Sequence, residues 1–146
     1  SPFNWVAVVQ QPERLHFAYI SLTRDTAPPP PAPDAGFFTR VGAPYRPRTD
    51  AQWQQRGLYG DEAALRGLAE DAWRAPALSV VHWFFEFPMF DRVERNGGDT
   101  CVWFEDLRFT TPGRGRVPFR FAACRADGGE WRGYERMADG SRVAIE

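Results

Sequence analysis

PMFDRVERNGGDTCVWFEDLRF, residues 88–109, is the stretch on which the fold turns, and it reads as a β-hairpin. Residues 90–95 make one arm, 96–99 the turn and 100–109 the other arm. Asn96 and Gly97 accept positive φ at little steric cost, which a tight hairpin turn requires. Strand alternation puts Cys101, Trp103, Glu105, Leu107 and Phe109 on one face, and Val102, Phe104, Asp106 and Arg108 on the other. Large apolar groups fall on both faces, so the strand is expected at the centre of a sheet and covered on both sides. Glu105, Asp106 and Arg108 then lie among aromatics, where an unpaired charge is costly. They form either a structural ion-pair network or part of a site.

Working upstream, Pro88 stops a helix expected over residues 77–87, with Pro76 fitting its first turn. Val80, Val81, Phe84 and Phe85 are its apolar side; a strand over 78–87 is the competing reading. Asp61 and Glu62 open an earlier helix at the favourable end of its dipole, with Leu65, Leu68, Ala69, Ala72 and Trp73 as the buried stripe. Thr49 or Asp50 is expected to cap a short helical turn carrying Trp53 and ended by Gly57 or Gly60. Residues 26–48 read as a long irregular loop, because 27–33 hold five prolines in seven residues and cannot join a sheet or helix. Residues 5–9 and 15–22 are strand-like and form an opening hairpin. Downstream, Pro112 to Gly115 mark a turn, 117–125 a strand, Asp127-Gly128-Gly129 a turn and 131–137 a strand. Asp139-Gly140 introduces one more short strand through Val143 and Ile145. The expected fold is therefore α+β in the order β-β-α-α-β-β-β-β. One antiparallel sheet of about five to six strands carries two helices on one face, in a single domain over 1–146.

At 146 residues, 43% apolar and 15% aromatic, the chain buries a core without staples and is not disordered overall. A net charge of −1 gives no general pull towards nucleic acid, and no nucleic-acid partner is expected. All eighteen basic residues are Arg, a composition that fits a GC-rich coding sequence. Cys101 and Cys124 match no metal or redox spacing, so buried free thiols are favoured over a pair across neighbouring strands. No run reaches the roughly 18–20 apolar residues that cross a bilayer. No leader pattern opens the chain, and Phe3-Asn4-Trp5 is already strand-like, which suggests a piece of a longer protein.

Catalytic motifs are absent from the sequence. His16 and His82 have no ligand partner at a metal-binding offset, and both read as structural. Ser21, Ser79 and Ser141 lack a nucleophile elbow. Gly113-Arg114-Gly115-Arg116 reads as a solvated turn in place of a phosphate loop. Glu86, Asp91, Glu94, Glu105 and Asp106 invite a two-carboxylate acid/base reading. Glu105 and Asp106 point to opposite faces of a strand, however, and do not form an adjacent pair. Arg108 shares a face with Asp106, and Arg120 on the next strand is placed to reach either carboxylate. A cross-strand ion-pair network is the plainer reading. The aromatics at Trp83, Phe84, Phe85, Phe87 and Trp103 are core, or in part the wall of an apolar pocket, and the proline run is an inert loop.

Trp83-Phe84-Phe85-Glu86-Phe87-Pro88, then the hairpin, then Phe104-Glu105-Asp106-Leu107-Arg108-Phe109 and Val117-Pro118-Phe119-Arg120-Phe121 carry a resemblance. This pattern resembles the C-terminal soluble region of bacterial membrane-bound metal-dependent hydrolases, the LexA-regulated, inner-membrane hydrolase-like family. It covers residues 5–125, is most specific over 83–121, and is best marked by the DLRF element; Tyr19-Ile20-Ser21-Leu22 is similar to the family's early strand. In that family a four-helix hydrophobic N-terminal part carries the presumed metal-binding histidines, and no position here matches them. The resemblance thus implies an extramembrane domain at the bacterial inner membrane, partnered by its own N-terminal membrane segment. It implies no cofactor in this region, a divalent metal only in the full-length protein, and a regulatory, substrate-binding or assembly role without catalysis of its own. The alternative is a small-ligand domain or enzyme of the cone-shaped nuclear-transport-factor-2-like type, with a pocket lined by Trp83, Phe85, Trp103 and Asp106. The residues at which either reading places a pocket or ion-pair network are Trp83, Glu86, Trp103, Glu105, Asp106, Arg108 and Arg120.

Overall fold

The uncharged run after Pro2 forms the first arm of the opening hairpin. β1 (Asn4–Gln11) pairs antiparallel with β2 (Arg14–Ser21) in unbroken register from Asn4↔Ser21 to Gln11↔Arg14. The structure, a computed structural model, describes residues 2–115 and 117–145. Arg116, the end of the Gly-Arg turn noted above, lies outside the described residues. By its contacts the chain divides into two units: Ser1–Gln55 with Thr111–Gly115, and Arg56–Thr110 with Arg116–Glu146.

In the first unit, Leu15, Phe17, Tyr19 and Ser21 of β2 are buried. The expected irregular loop at 26–48 is only partly so. Residues 27–32 have no regular structure, as their prolines demand, but α1 (Phe37–Gly42) and β3 (Arg46–Pro47) follow. Arg24 ties this excursion down by donating to the carbonyls of Gly42 (2.7 Å) and Tyr45 (2.6 Å). β3 runs parallel to β2, and β4 (Gln54–Gly57) also pairs with β2. The expected helical turn carrying Trp53 is instead a 3-10 turn (Arg48–Asp50) leading into β4. Gln and Arg favour a helix by only a small intrinsic margin, which pairing with β2 overrides.

In the second unit, α2 (Ala63–Trp73) forms where its apolar stripe predicts, with Glu62 at its N-cap and Ala69 and Ala72 fully buried. Pro76 opens a 3-10 turn (Pro76–Leu78) that runs into α3 (Ser79–Phe84), so the helix expected over 77–87 stops three residues early. A second sheet follows in the order β5-β6-β7-β8-β9, all antiparallel: β5 (Pro88–Asn96), β6 (Asp99–Asp106), β7 (Phe121–Ala126), β8 (Arg132–Arg136) and β9 (Arg142–Ala144). The α+β class holds, but the strands form a four-stranded and a five-stranded sheet where a single sheet was expected. Strand patterns locate strands; they do not say which ones pair.

Gly97 (φ +57°) and Gly98 (φ +89°) make the β5–β6 turn, while Asn96, expected to share the positive φ, stays in β5 opposite Asp99. β6 ends at Asp106 where alternation carried it to Phe109, and Leu107–Phe109 closes into a 3-10 turn. β7 begins at Phe121, not at 117. Phe119 sits at φ +56°, outside strand geometry, with its ring 4.7 Å from that of Phe109.

β6 is buried along most of its length, as expected of a central strand. Val102 and Phe104 pack with Ala123 against Leu58, Ala72, Leu78, Val81 and Phe85 on the helix side. Cys101 and Trp103 pack with Ala122, Cys124 and Tyr134 on the opposite face. Cys101 and Cys124 are register partners and form a disulfide, which corrects the free-thiol expectation. A pair across neighbouring strands was the competing expectation, and the direct Cys101↔Cys124 register makes it the outcome.

β8 lies so close to the 3-10 turn that a Cβ on Gly133 would stand 2.5 Å from the Ala77 carbonyl oxygen and 2.6 Å from Ile145. Backbone must shift to admit it. Gly133→Ala is expected to destabilise the protein by about 2 kcal/mol, read from urea unfolding; an unchanged midpoint would contradict this packing.

Candidate functional site

Asp106 is fully buried at the last position of β6, and both its carboxylate oxygens accept hydrogen bonds. Its Oδ2 accepts from the backbone N–H of Glu86 (2.6 Å) and of Phe87 (3.3 Å). Its Oδ1 accepts from the backbone N–H (2.8 Å) and the Nε (3.2 Å) of Arg108, the first of these capping the start of the 3-10 turn. The Arg108 guanidinium adds Nη2 at 2.9 Å and Nε at 3.1 Å from Oδ2. Arg108 Nη2 also donates to the Phe84 carbonyl at the end of α3, and Nη1 stands 3.5 Å from Glu86 Oε2. Burial alone would raise the Asp106 pKa, but the donors from Arg108, Glu86 and Phe87 outweigh it and hold the carboxyl below its ordinary value. Arg108 and Asp106 do meet, as their shared face suggests, but through a turn and not along a strand.

Glu105 points to the other face, as alternation requires, and finds a different cation. Its Oε1 accepts from Arg56 Nη2 at 3.2 Å, and the same nitrogen donates to the Phe90 carbonyl at 2.7 Å. Arg120 does not join Asp106 but pairs with Asp91 at 3.4 Å. Burial, then the negative charge of Asp91, push the Glu105 pKa up, while Arg56 and Arg120 oppose them. These groups border an open cleft of about 450 Å³ whose wall includes Gly60, Asp61, Glu62 and Phe90. Arg56 carries no signal in sequence, where it falls within the expected helical turn ended by Gly57 or Gly60, and it lies instead in β4.

A third set gathers around Glu94. Both its oxygens accept from Arg136 Nη2 (2.7 and 2.6 Å), Oε1 accepts from Arg92 Nε (3.0 Å) and Oε2 from Trp103 Nε1 (3.0 Å). The Arg136 guanidinium lies 4.1 Å from the Trp103 ring centre and covers a large aromatic that is only 1% exposed. Burial raises the Glu94 pKa, but these donors and cations outweigh it and leave it below its ordinary value.

The seven sequence-predicted residues therefore split into groups. Asp106, Arg108 and Glu86 form one network, Glu105 and Arg120 border another, and Trp103 belongs to the third. Trp83 joins none of these and is 86% exposed on α3. Phe85 packs on the helix side of the sheet and Trp103 on the opposite face, so Trp83, Phe85, Trp103 and Asp106 do not line one cavity. His82 Nε2 lies 2.7 Å from the Trp73 carbonyl, a structural hydrogen bond. Among the described residues no three His, Cys, Asp or Glu side chains gather as a metal-binding group, and no helix is long and apolar enough to cross a membrane.

Opposite pH dependences follow from the two neighbouring carboxylates. The Asp106 pKa is depressed on folding, so its stabilisation is present above about pH 4 and is lost as pH falls through the folded value. The Glu105 pKa is raised, so its contribution is present below about pH 4.3 and is lost as pH rises through the folded value. Asp106→Asn is expected to cost about 3 kcal/mol at neutral pH, because it leaves buried donors short of an anion. It is also expected to flatten the acid limb of stability against pH. Glu105→Gln is expected to flatten the fall of stability on the alkaline side of that range. Chemical denaturation across pH 3–8 reads both, and identical pH profiles for the two variants would contradict the assignment. Comparison with protein-family models, with curated proteins and with solved structures finds no match for this chain.

Proposed function

We propose that this chain is the soluble extramembrane domain of a membrane-bound metal-dependent hydrolase of the bacterial inner membrane, non-catalytic by itself and acting in regulation, substrate binding or assembly. The observation that carries this reading is the fate of the residues on which the family resemblance rests. Asp106 and Arg108 of the DLRF element and the Glu86 backbone are consumed in holding α3 to β6, with no oxygen of Asp106 left for a substrate. A signature spent on architecture suits a domain that supports chemistry located elsewhere. Metal chemistry in the full-length protein would then belong to its membrane segment. α3 adds support by leaving Val80 and Trp83 in solvent, apolar surface suited to contact with that segment.

The purified chain is expected to show no hydrolysis of generic ester or phosphoester substrates, with or without divalent metal. Turnover that disappears in Glu105→Gln or Asp91→Asn, in protein whose circular dichroism is unchanged, would overturn the proposal. The coding frame is a second check: hydrophobic spans encoded upstream of Ser1 are expected, and a complete frame without them would contradict it.

A further inference from the structure

The disulfide between Cys101 of β6 and Cys124 of β7 lies on the sheet face away from α2, and a cation stands on it. Arg142 of β9 brings Nη1 to 2.8 Å from Cys101 Sγ and 3.4 Å from Cys124 Sγ. Its Nη2 pairs with Asp99 at 3.1 Å, and its guanidinium lies 4.7 Å from the Tyr134 ring centre, so the group is held from two further sides. A guanidinium has only donors, and a disulfide sulfur is a weak acceptor. What this placement stabilises far better is a thiolate, the anion released when the bond opens. A cleft of about 380 Å³ has Cys124 on its wall beside Asp99, Arg125 and Tyr134, with the residue itself only 4% exposed, and Cys101 is not part of that wall. The bond is not the sole link between these strands: β6 and β7 are also paired in backbone register from Asp99↔Ala126 to Phe104↔Phe121.

We propose that Cys101–Cys124 is a thiol–disulfide exchange site for low-molecular-weight thiols, with Cys124 the sulfur attacked and Cys101 the leaving thiolate held by Arg142. An external thiol loses its proton to solvent, and its thiolate attacks Cys124 Sγ. A mixed disulfide forms there as the Cys101–Cys124 bond breaks, and the electron pair of that bond leaves on Cys101 beside Arg142. A second thiolate then attacks the external sulfur of the mixed disulfide. This releases the small-molecule disulfide and leaves two reduced cysteines. This inference is independent of the hydrolase reading.

The test uses the whole chain with reduced glutathione, trapping by alkylation and locating the adduct by mass spectrometry. The bond is expected to open in folded protein, with far-UV circular dichroism retained and glutathione found on Cys124. Arg142→Met is expected to slow exchange about fivefold, because the leaving thiolate loses its cation. In reduced Cys124→Ser protein, the Cys101 thiolate absorbance is expected to titrate below the ordinary midpoint of about 8.5, and to return towards it when Arg142→Met is added. Arg142→Lys keeps the charge and is expected to restore most of both effects. A bond that millimolar thiol opens only on unfolding would overturn the proposal, as would glutathione on Cys101 or an Arg142→Met variant with unchanged rate and titration.

Discussion

The second unit depends on one buried carboxylate finding all its donors. Asp106 ends β6, an interior strand of the five-stranded sheet, where a buried ionised group without partners would be prohibitive. Three backbone N–H groups and the Arg108 guanidinium supply what water would have supplied. Those donors come from two places, the loop leaving α3 and the turn leaving β6. Satisfying the charge therefore fixes where the helix ends and how the chain turns away from the sheet. Arg108 strengthens the constraint by taking up the Phe84 carbonyl, which the end of a helix leaves open. The leucine between them, Leu107, is buried and donates its N–H to the Phe87 carbonyl, so the turn is locked from both sides.

Around this point the sheet separates two kinds of chemistry. The helix side is apolar, with Phe104, Leu78 and Val81 closed off from solvent. The opposite side keeps Trp103 and the disulfide covered by arginine side chains, Arg136 over the indole and Arg142 over the sulfurs. Arginine suits that task because its flat, weakly hydrated head stacks on rings while still donating to carboxylates. The chain's exclusive use of Arg thus has structural consequences on this face, whatever its origin in coding composition.

Local structure was legible in sequence where the signal was local. The Asn-Gly turn, the α2 stripe and the two-faced β6 strand follow from residue spacing alone. The opposite orientation of Glu105 and Asp106 was legible as well, and with it the conclusion that they do not act as an adjacent pair. What sequence could not supply was partnership across distance. Arg56 for Glu105 and Arg136 for Glu94 are set by tertiary packing, and Cys124 for Cys101 by strand register, none of which periodicity encodes. The early end of β6 escaped for a related reason: alternation favours continuing to Phe109, while the closed turn is preferred only once the Asp106 carboxylate and the loop after α3 are both in place.

Native-state hydrogen exchange tests this account most directly. If the Asp106 carboxylate holds α3 and β6 together, the amides of Glu86, Phe87 and Arg108 should exchange only through global unfolding, as slowly as those of Val102 and Phe104. Exchange of these three amides at the rate of surface loops, while β6 stays protected, would contradict it.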